Sequence, residues 1–117
     1  MKIDLILMAA GNSRRFGSNK LLYEWRGKKL YRYMFDALVE AAEGLPQVRV
    51  RVVTQYEEIL KMVEELAKRE APGFLTGVYS PESVKGLSYT IKKALDFEAA
   101  DPPEAFAFFT AAPPGFS

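Results

Sequence analysis

The chain opens with an apolar run, Ile3 to Met8, that leads directly into a stretch of small and basic residues. A near-continuous apolar run of this kind is typical of a strand buried on both faces, as in a parallel sheet covered by helices. The next residues, from Ala9 to Lys20, include two glycines, two arginines and one lysine. The start of the chain therefore predicts a buried first strand with a glycine-containing basic loop at its carboxyl end.

The rest of the chain alternates between the periodicities of helices and strands. Apolar patterns predict strands over 47–54, 74–79 and 105–110, with one helix before each of them. Alternation of this kind indicates an α/β fold, with a Rossmann-like, mainly parallel sheet and flanking helices. At 117 residues, the whole range 1–117 is expected to form a single domain.

Charged residues suggest how the sheet is arranged. Arg49 and Arg51 alternate with valines and share one face of their strand, which favours a place near an edge of the sheet. Asp101 and Glu104 precede the last predicted strand, so they are expected at the end of the sheet opposite the basic loop. The last strand is expected to leave an open edge, which a homodimer could cover.

The basic loop does not match two common nucleotide motifs. A Walker A loop has four residues between its glycines and ends in Gly-Lys-Ser/Thr, whereas five residues separate Gly11 from Gly17, and Lys20 precedes a leucine. The dinucleotide fingerprint needs a G-x-G spacing that Ala9-Ala10-Gly11 lacks. A solvated loop with ordinary surface charges is the simplest alternative. The entering strand and the cluster of cations favour phosphate binding.

The loop resembles the signature of the molybdenum-cofactor nucleotidylyltransferase family, L-A-A/G-G-x-S-x-R-F/M-G-x-x-K-x-L. The matching residues are Ala9, Gly11, Ser13, Arg15, Phe16, Gly17, Lys20 and Leu22. The resemblance implies the nucleotide-diphospho-sugar transferase fold. It also implies transfer of a nucleoside monophosphate from a nucleoside triphosphate, with Mg²⁺, onto a phosphorylated acceptor such as molybdopterin.

The resemblance also implies roles for individual residues. Arg15 and Lys20 would hold the phosphates as catalytic residues, and the backbone from Ala9 to Gly11 would meet the base and ribose. Ser13 and Gly17 belong to the same nucleotide-binding loop. Alanine at position 10 resembles the cytidylyl branch of the family and favours CTP over GTP.

A second informative stretch runs from Ser80 to Ile91. Gly86 and Ser88 lie at the predicted start of the third helix, where backbone N–H groups are free, and Thr90 adds a hydroxyl. Helix capping is the alternative, because serine and threonine are common at helix starts. The family often carries G-M/L-S-x-S/T here, so the resemblance implies nucleotide contacts from Gly86, Ser88 and Thr90.

The family pattern breaks after the last strand. Where the family has a D-x-P turn whose aspartate holds magnesium, this chain has Ala111-Ala112-Pro113-Pro114. The resemblance therefore provides no metal ligand in this chain and covers only the N-terminal part of the family's domain. Two alternatives follow: a shortened, catalytically impaired module that binds a nucleotide or a partner, and a sugar-phosphate nucleotidylyltransferase with a related loop.

Composition excludes several other classes of function. A net charge of +1 argues against an extended nucleic-acid surface. The chain has no cysteine and no histidine, which removes disulfides, thiolate chemistry and the usual zinc ligands. We find neither a membrane-spanning apolar run nor a signal-peptide pattern, and we expect a cytoplasmic protein without membrane partners.

Overall fold

A computed structural model describes residues 1–11 and 20–111, except for the side chain of Lys20. The main sheet has four parallel strands in the spatial order β5-β4-β1-β6. Its strands are β1 (Ile3–Met8), β4 (Val48–Thr54), β5 (Leu75–Tyr79) and β6 (Ala105–Thr110). The helices are α1 (Leu30–Ala42), α2 (Glu57–Ala67) and α3 (Leu87–Glu98). The predicted α/β, Rossmann-like fold is confirmed.

A small hairpin precedes the first helix and was not predicted. Strands β2 (Glu24–Trp25) and β3 (Lys28–Lys29) pair antiparallel across a two-residue turn. Arg26 and Gly27 both have positive φ, 53° and 79°, as the tight turns of two-residue hairpin loops require. Two short 3-10 helices, Lys20–Leu22 and Pro81–Lys85, complete the described elements.

The larger core lies on the side of the sheet that faces α1 and α2. Buried side chains from β1 and β4 meet Phe35 of α1 and Ile59 and Val63 of α2. Burial of each large apolar side chain stabilises the fold by about 1.5–3 kcal/mol. This core fixes the central strands, and so fixes the position of the loops that follow them.

The opposite face of the sheet combines a small apolar core with a buried ionic network. Ile6, Val53 and Val78 pack with Ala94 of α3, while Asp4 is fully buried beside the arginines of β4. Arg49 holds Asp4 through two hydrogen bonds, from Nε to Oδ1 at 2.6 Å and from Nη2 to Oδ2 at 2.9 Å. This bidentate geometry is the strong form of an arginine–carboxylate pair.

The prediction that the arginine-bearing strand lies near an edge is wrong. Strand β4 is central, between β1 and β5. Arg49 also binds Asp101 at 2.6 Å, and Arg51 donates to the Thr76 hydroxyl at 2.8 Å. Since these partners neutralise and solvate the guanidinium groups, the arginines are tolerated inside the sheet rather than at its margin.

Strand β6 forms one edge of the described sheet and carries exposed apolar side chains. Phe106 is 47% exposed, and Leu87 and Leu95 of α3 are 62% and 43% exposed. The expected homodimer stays a prediction, and gel filtration would test it. In the part of the chain that the structure describes, no helix is both long and apolar enough to cross a membrane.

Candidate functional site

A cavity of about 380 Å³ lies at the carboxyl ends of β1 and β6, against the start of α3. Open α/β sheets bind ligands at this edge, where the loops leave the strands. The described residues that line the cavity come from four separate parts of the chain: Met8, Ala10, Gly11, Leu21, Ser83, Gly86, Leu87, Thr90, Thr110 and Ala111.

The segment after β1 is held in place by the end of β4 and by the two residues that follow it. The backbone N–H of Ala9 donates to the carbonyl oxygen of Val53 at 2.8 Å. Gln55 Nε2 donates to the Ala10 carbonyl, and the Tyr56 hydroxyl donates to the Gly11 carbonyl, both at 2.6 Å. Burial raises the pKa of Tyr56, which keeps its hydroxyl protonated as a donor at neutral pH. These bonds fix the backbone at which the basic loop begins.

Gln55 and Tyr56 were missed by the sequence analysis. Both follow the second strand of the parallel sheet directly. The carboxyl ends of parallel strands meet at the same edge, so polar side chains in this position were a usable signal.

Three buried hydroxyls connect the 3-10 helix Pro81–Lys85 with α3. Thr90 Oγ1 donates to Ser83 Oγ at 2.7 Å, and the Ser80 and Ser83 hydroxyls lie 2.7 Å apart. All three side chains are buried, and Ser83 and Thr90 line the cavity. Ser83 was not among the predicted site residues, although it lies in the stretch identified from the sequence.

Gly86 lets the chain turn from the 3-10 helix into α3. Its φ of 140° and ψ of 171° lie in a region that is essentially restricted to glycine. Because the residue before α3 is a glycine, it has no side chain with which to cap the amino end of the helix. The turn brings the first residues of α3 to the cavity wall.

The structure brings together four of the predicted nucleotide-binding residues. Ala10, Gly11, Gly86 and Thr90 line the same cavity, although the two pairs are more than 70 residues apart in the sequence. Ala9 is fully buried in the adjoining core instead.

Ser88 occupies a different environment from Thr90. It is exposed on the first turn of α3 and is not among the residues that line the cavity. Its proposed nucleotide contact stays a prediction.

The remaining predicted residues belong to the basic loop. Ser13, Arg15 and Gly17 lie outside the described residues, as does the side chain of Lys20. The backbone of Lys20 begins the 3-10 helix whose next residue, Leu21, lines the cavity. The loop therefore leaves and rejoins the described structure at the cavity.

The described cavity wall does not offer the ligands that Mg²⁺ prefers. Carboxylate oxygens are the usual protein ligands of this ion, whereas the polar side chains here are hydroxyls. Ala111, one of the two positions aligned with the family's aspartate, is 2% exposed and forms part of the wall. Among residues 1–11 and 20–111, no three Asp or Glu side chains cluster to form a metal site.

The expected position of Asp101 and Glu104 is confirmed. Asp101 pairs with Lys2 Nζ at 2.9 Å, and the Glu104 carboxylate accepts from the backbone N–H of Lys2, just before β1 begins. Both carboxylates therefore lie at the amino ends of the strands, away from the cavity.

The sequence of this chain is similar to those of known proteins. The family model of the MobA-like NTP transferase domain matches residues 5–112. A probable molybdenum cofactor guanylyltransferase from Pyrococcus horikoshii is 31% identical over 86 residues. The aligned part spans 72% of this chain and 44% of that protein, so the match reaches less than half of the relative's length.

Proposed function

Because this chain belongs to the MobA-like NTP transferase domain family, we propose that its cavity binds a nucleoside triphosphate for nucleotidyl transfer. In this reaction an acceptor phosphate oxygen attacks the α-phosphorus. A new phosphoanhydride bond forms, and the bond to pyrophosphate breaks. The proposed product is a nucleoside monophosphate joined to the acceptor.

The convergence of Ala10 and Gly11 with Gly86 and Thr90 on one cavity is the observation that carries the proposal. The first pair follows β1 and the second lies at the start of α3, so the cavity is assembled only by the fold. Small residues allow a ligand to approach the backbone closely. Both segments are predicted from the sequence to contact a nucleotide.

The residues that line the cavity suggest which part of the nucleotide binds there and which part binds at the basic loop. The described lining is apolar and hydroxyl-bearing, which suits a base and a ribose rather than a triphosphate. We assign the phosphates to the basic loop, with Arg15 and Lys20 as catalytic residues that stabilise the negative charge on the phosphate oxygens. Ser13 and Gly17 would complete that loop.

Mg²⁺ enters the proposal only because the family is expected to use it. If an ion takes part, it would neutralise charge on the phosphates when bound, and its carboxylate ligands would not come from the described cavity wall. The residues of this chain would bind and orient the nucleotide.

CTP is the proposed nucleotide because Ala10, buried at the cavity wall, resembles the cytidylyl branch. The printed name of the Pyrococcus relative favours GTP as the alternative. A phosphorylated pterin is the proposed acceptor, because that name refers to the molybdenum cofactor. Competition between CTP and GTP at equal concentration would decide the base.

A module that binds nucleotide without turnover is the second candidate. Ala111 favours it, since it forms part of the wall and is one of the two positions where the family's aspartate would fall. Pyrophosphate release in the presence of a pterin acceptor would favour the enzyme, whereas binding without release would favour the module.

Blocking the cavity tests the proposal. Thr110 is exposed and lines the cavity, so Thr110→Trp should fill the site with little effect on folding. We expect calorimetry to show at least about tenfold weaker binding of CTP and GTP. Leu95→Trp is the control, because Leu95 is exposed on α3 and lies outside the lining. Equal binding by both variants and the wild type would exclude this cavity as the nucleotide site.

A further inference from the structure

We propose that Ser83 is a nucleotide-binding residue that donates a hydrogen bond to the nucleoside part of the bound nucleotide. The inference rests on the proposed function. It concerns a residue that neither the loop motif nor the α3 motif includes. Its basis is the arrangement of the Ser80, Ser83 and Thr90 hydroxyls at the cavity wall.

The three hydroxyls have one more proton than the hydrogen bonds between them use. Three hydroxyls carry three protons, and two hydrogen bonds connect them. The Thr90 proton is directed to Ser83 Oγ, so the remaining proton belongs to Ser83 or to Ser80. A buried hydroxyl proton without an acceptor is costly, and a ligand atom in the cavity would remove that cost.

Ser83 can turn its proton toward a ligand without losing its bond to Ser80. The two oxygens lie 2.7 Å apart, and either can be the donor. When Ser80 donates, Ser83 Oγ accepts from both Ser80 and Thr90, and its own proton is free for the cavity that Ser83 lines. A hydroxyl with two acceptor positions filled acts as a donor, so Ser83 selects an acceptor atom on the ligand.

The surroundings of Ser83 favour the nucleoside over the phosphates. Gly86 and Leu87 line the same cavity, and no charged side chain of the described residues borders it. The acceptor is therefore expected on the base or the ribose. Carbonyl and ring-nitrogen acceptors on cytosine and guanine both fit this requirement.

Ser83→Ala and Ser80→Ala form a matched pair for the test. Each removes one buried hydroxyl of the same group, but only Ser83 lines the nucleotide cavity. Ser83→Ala removes both hydrogen bonds of the group, and Ser80→Ala removes one. We would measure binding of CTP, GTP and inorganic tripolyphosphate by calorimetry, and the melting temperature of each variant. Ser83→Cys keeps the side-chain size and serves if the alanine variant does not fold.

We expect Ser83→Ala to weaken nucleotide binding about three- to tenfold while tripolyphosphate binding stays within about twofold. Ser80→Ala should leave nucleotide affinity within about twofold of wild type. It should also lower the melting temperature by less than Ser83→Ala does, because it removes one hydrogen bond instead of two. Equal loss in both serine variants, equal loss for tripolyphosphate, or no loss would overturn the role of Ser83. Wild-type protein that binds no nucleotide would instead overturn the proposed function, and this inference with it.

Discussion

The Tyr56 hydroxyl donates a 2.6 Å hydrogen bond to the carbonyl oxygen of Gly11. It therefore links the segment before α2 to the start of the basic loop. We expect Tyr56→Phe to loosen that start and weaken nucleotide binding about three- to tenfold, because the ring stays while the bond is lost. Isothermal calorimetry with CTP and GTP measures the change.

Tyr33→Phe is the matched control for this variant. The Tyr33 hydroxyl also donates a 2.6 Å bond to a backbone carbonyl, that of Trp25, but neither residue lines the cavity. Both variants should lose about 0.5–1.5 kcal/mol of unfolding free energy. If Tyr33→Phe weakened nucleotide binding as much as Tyr56→Phe, the effect would be one of general stability.

Gly77 allows α2 to pack closely on β5. A Cβ at this position would lie 2.8 Å from Leu60 Cδ1 and 3.4 Å from Val63 Cγ1. We expect Gly77→Ala to cost about 1 kcal/mol in urea unfolding, because the end of the Leu60 side chain must move. In a Leu60→Ala background the same substitution should cost less. An equal cost in both backgrounds would show that contact with Leu60 is not the cause.

Glu98 makes stability depend on pH near neutrality. Burial and a hydrogen bond with Asp4 raise the pKa of Glu98 from 4.5 to about 7. The folded protein therefore binds a proton more tightly than the unfolded chain, and this contribution to stability falls as pH rises from about 4.5 to about 7. The pKa of Asp4 is shifted the other way. Its burial is outweighed by hydrogen bonds with Arg49 and Glu98 and by the charge of Arg51.

Glu98→Gln should remove this pH dependence. Glutamine stays neutral and can still donate to Asp4, so we expect the variant to be about 1–3 kcal/mol more stable than wild type at pH 8. The difference should shrink toward pH 4.5, as measured by chemical denaturation at several pH values. A difference that is the same at pH 5 and pH 8 would contradict the assignment.

Local sequence patterns were sufficient to predict the strands and helices, but not which strands lie side by side in the sheet. Alternation predicted the strand that carries Arg49 and Arg51, yet its central place depends on Asp4 and Asp101, which lie 45 and 52 residues from Arg49 in the sequence. A sequence pattern does not reveal which distant carboxylate neutralises a guanidinium group. The edge prediction failed for that reason.

Helix α3 shows a second limit of sequence patterns. The apolar residues Leu87, Ile91, Ala94 and Leu95 predict the helix correctly, but Leu87 and Leu95 are exposed. The buried face carries Ala94 together with the polar residues Thr90 and Glu98. That face packs on a sheet surface that has buried charges and hydroxyls. The polar side chains of the helix therefore lie against polar groups of the sheet.

The sequence indicated those residues of the candidate site that belong to a contiguous motif. Ala10, Gly11, Gly86 and Thr90 were identified from two motifs, and the fold brings them to one cavity. Ser83 and Tyr56 lie outside those motifs, and their relation to the site depends on hydrogen bonds that only the folded chain forms.

The central claim is that the chain binds a nucleoside triphosphate through its basic loop and the adjoining cavity. Its most direct test is calorimetric titration of CTP, GTP and ATP, with and without Mg²⁺, into wild type, Lys20→Ala and Lys61→Ala. Lys61 lies exposed on α2, away from the cavity, and serves as the control for loss of one positive charge. We predict binding that Lys20→Ala weakens by about 1–3 kcal/mol and that Lys61→Ala leaves unchanged. No binding of any nucleotide by the wild type, or equal binding by Lys20→Ala, would contradict the account.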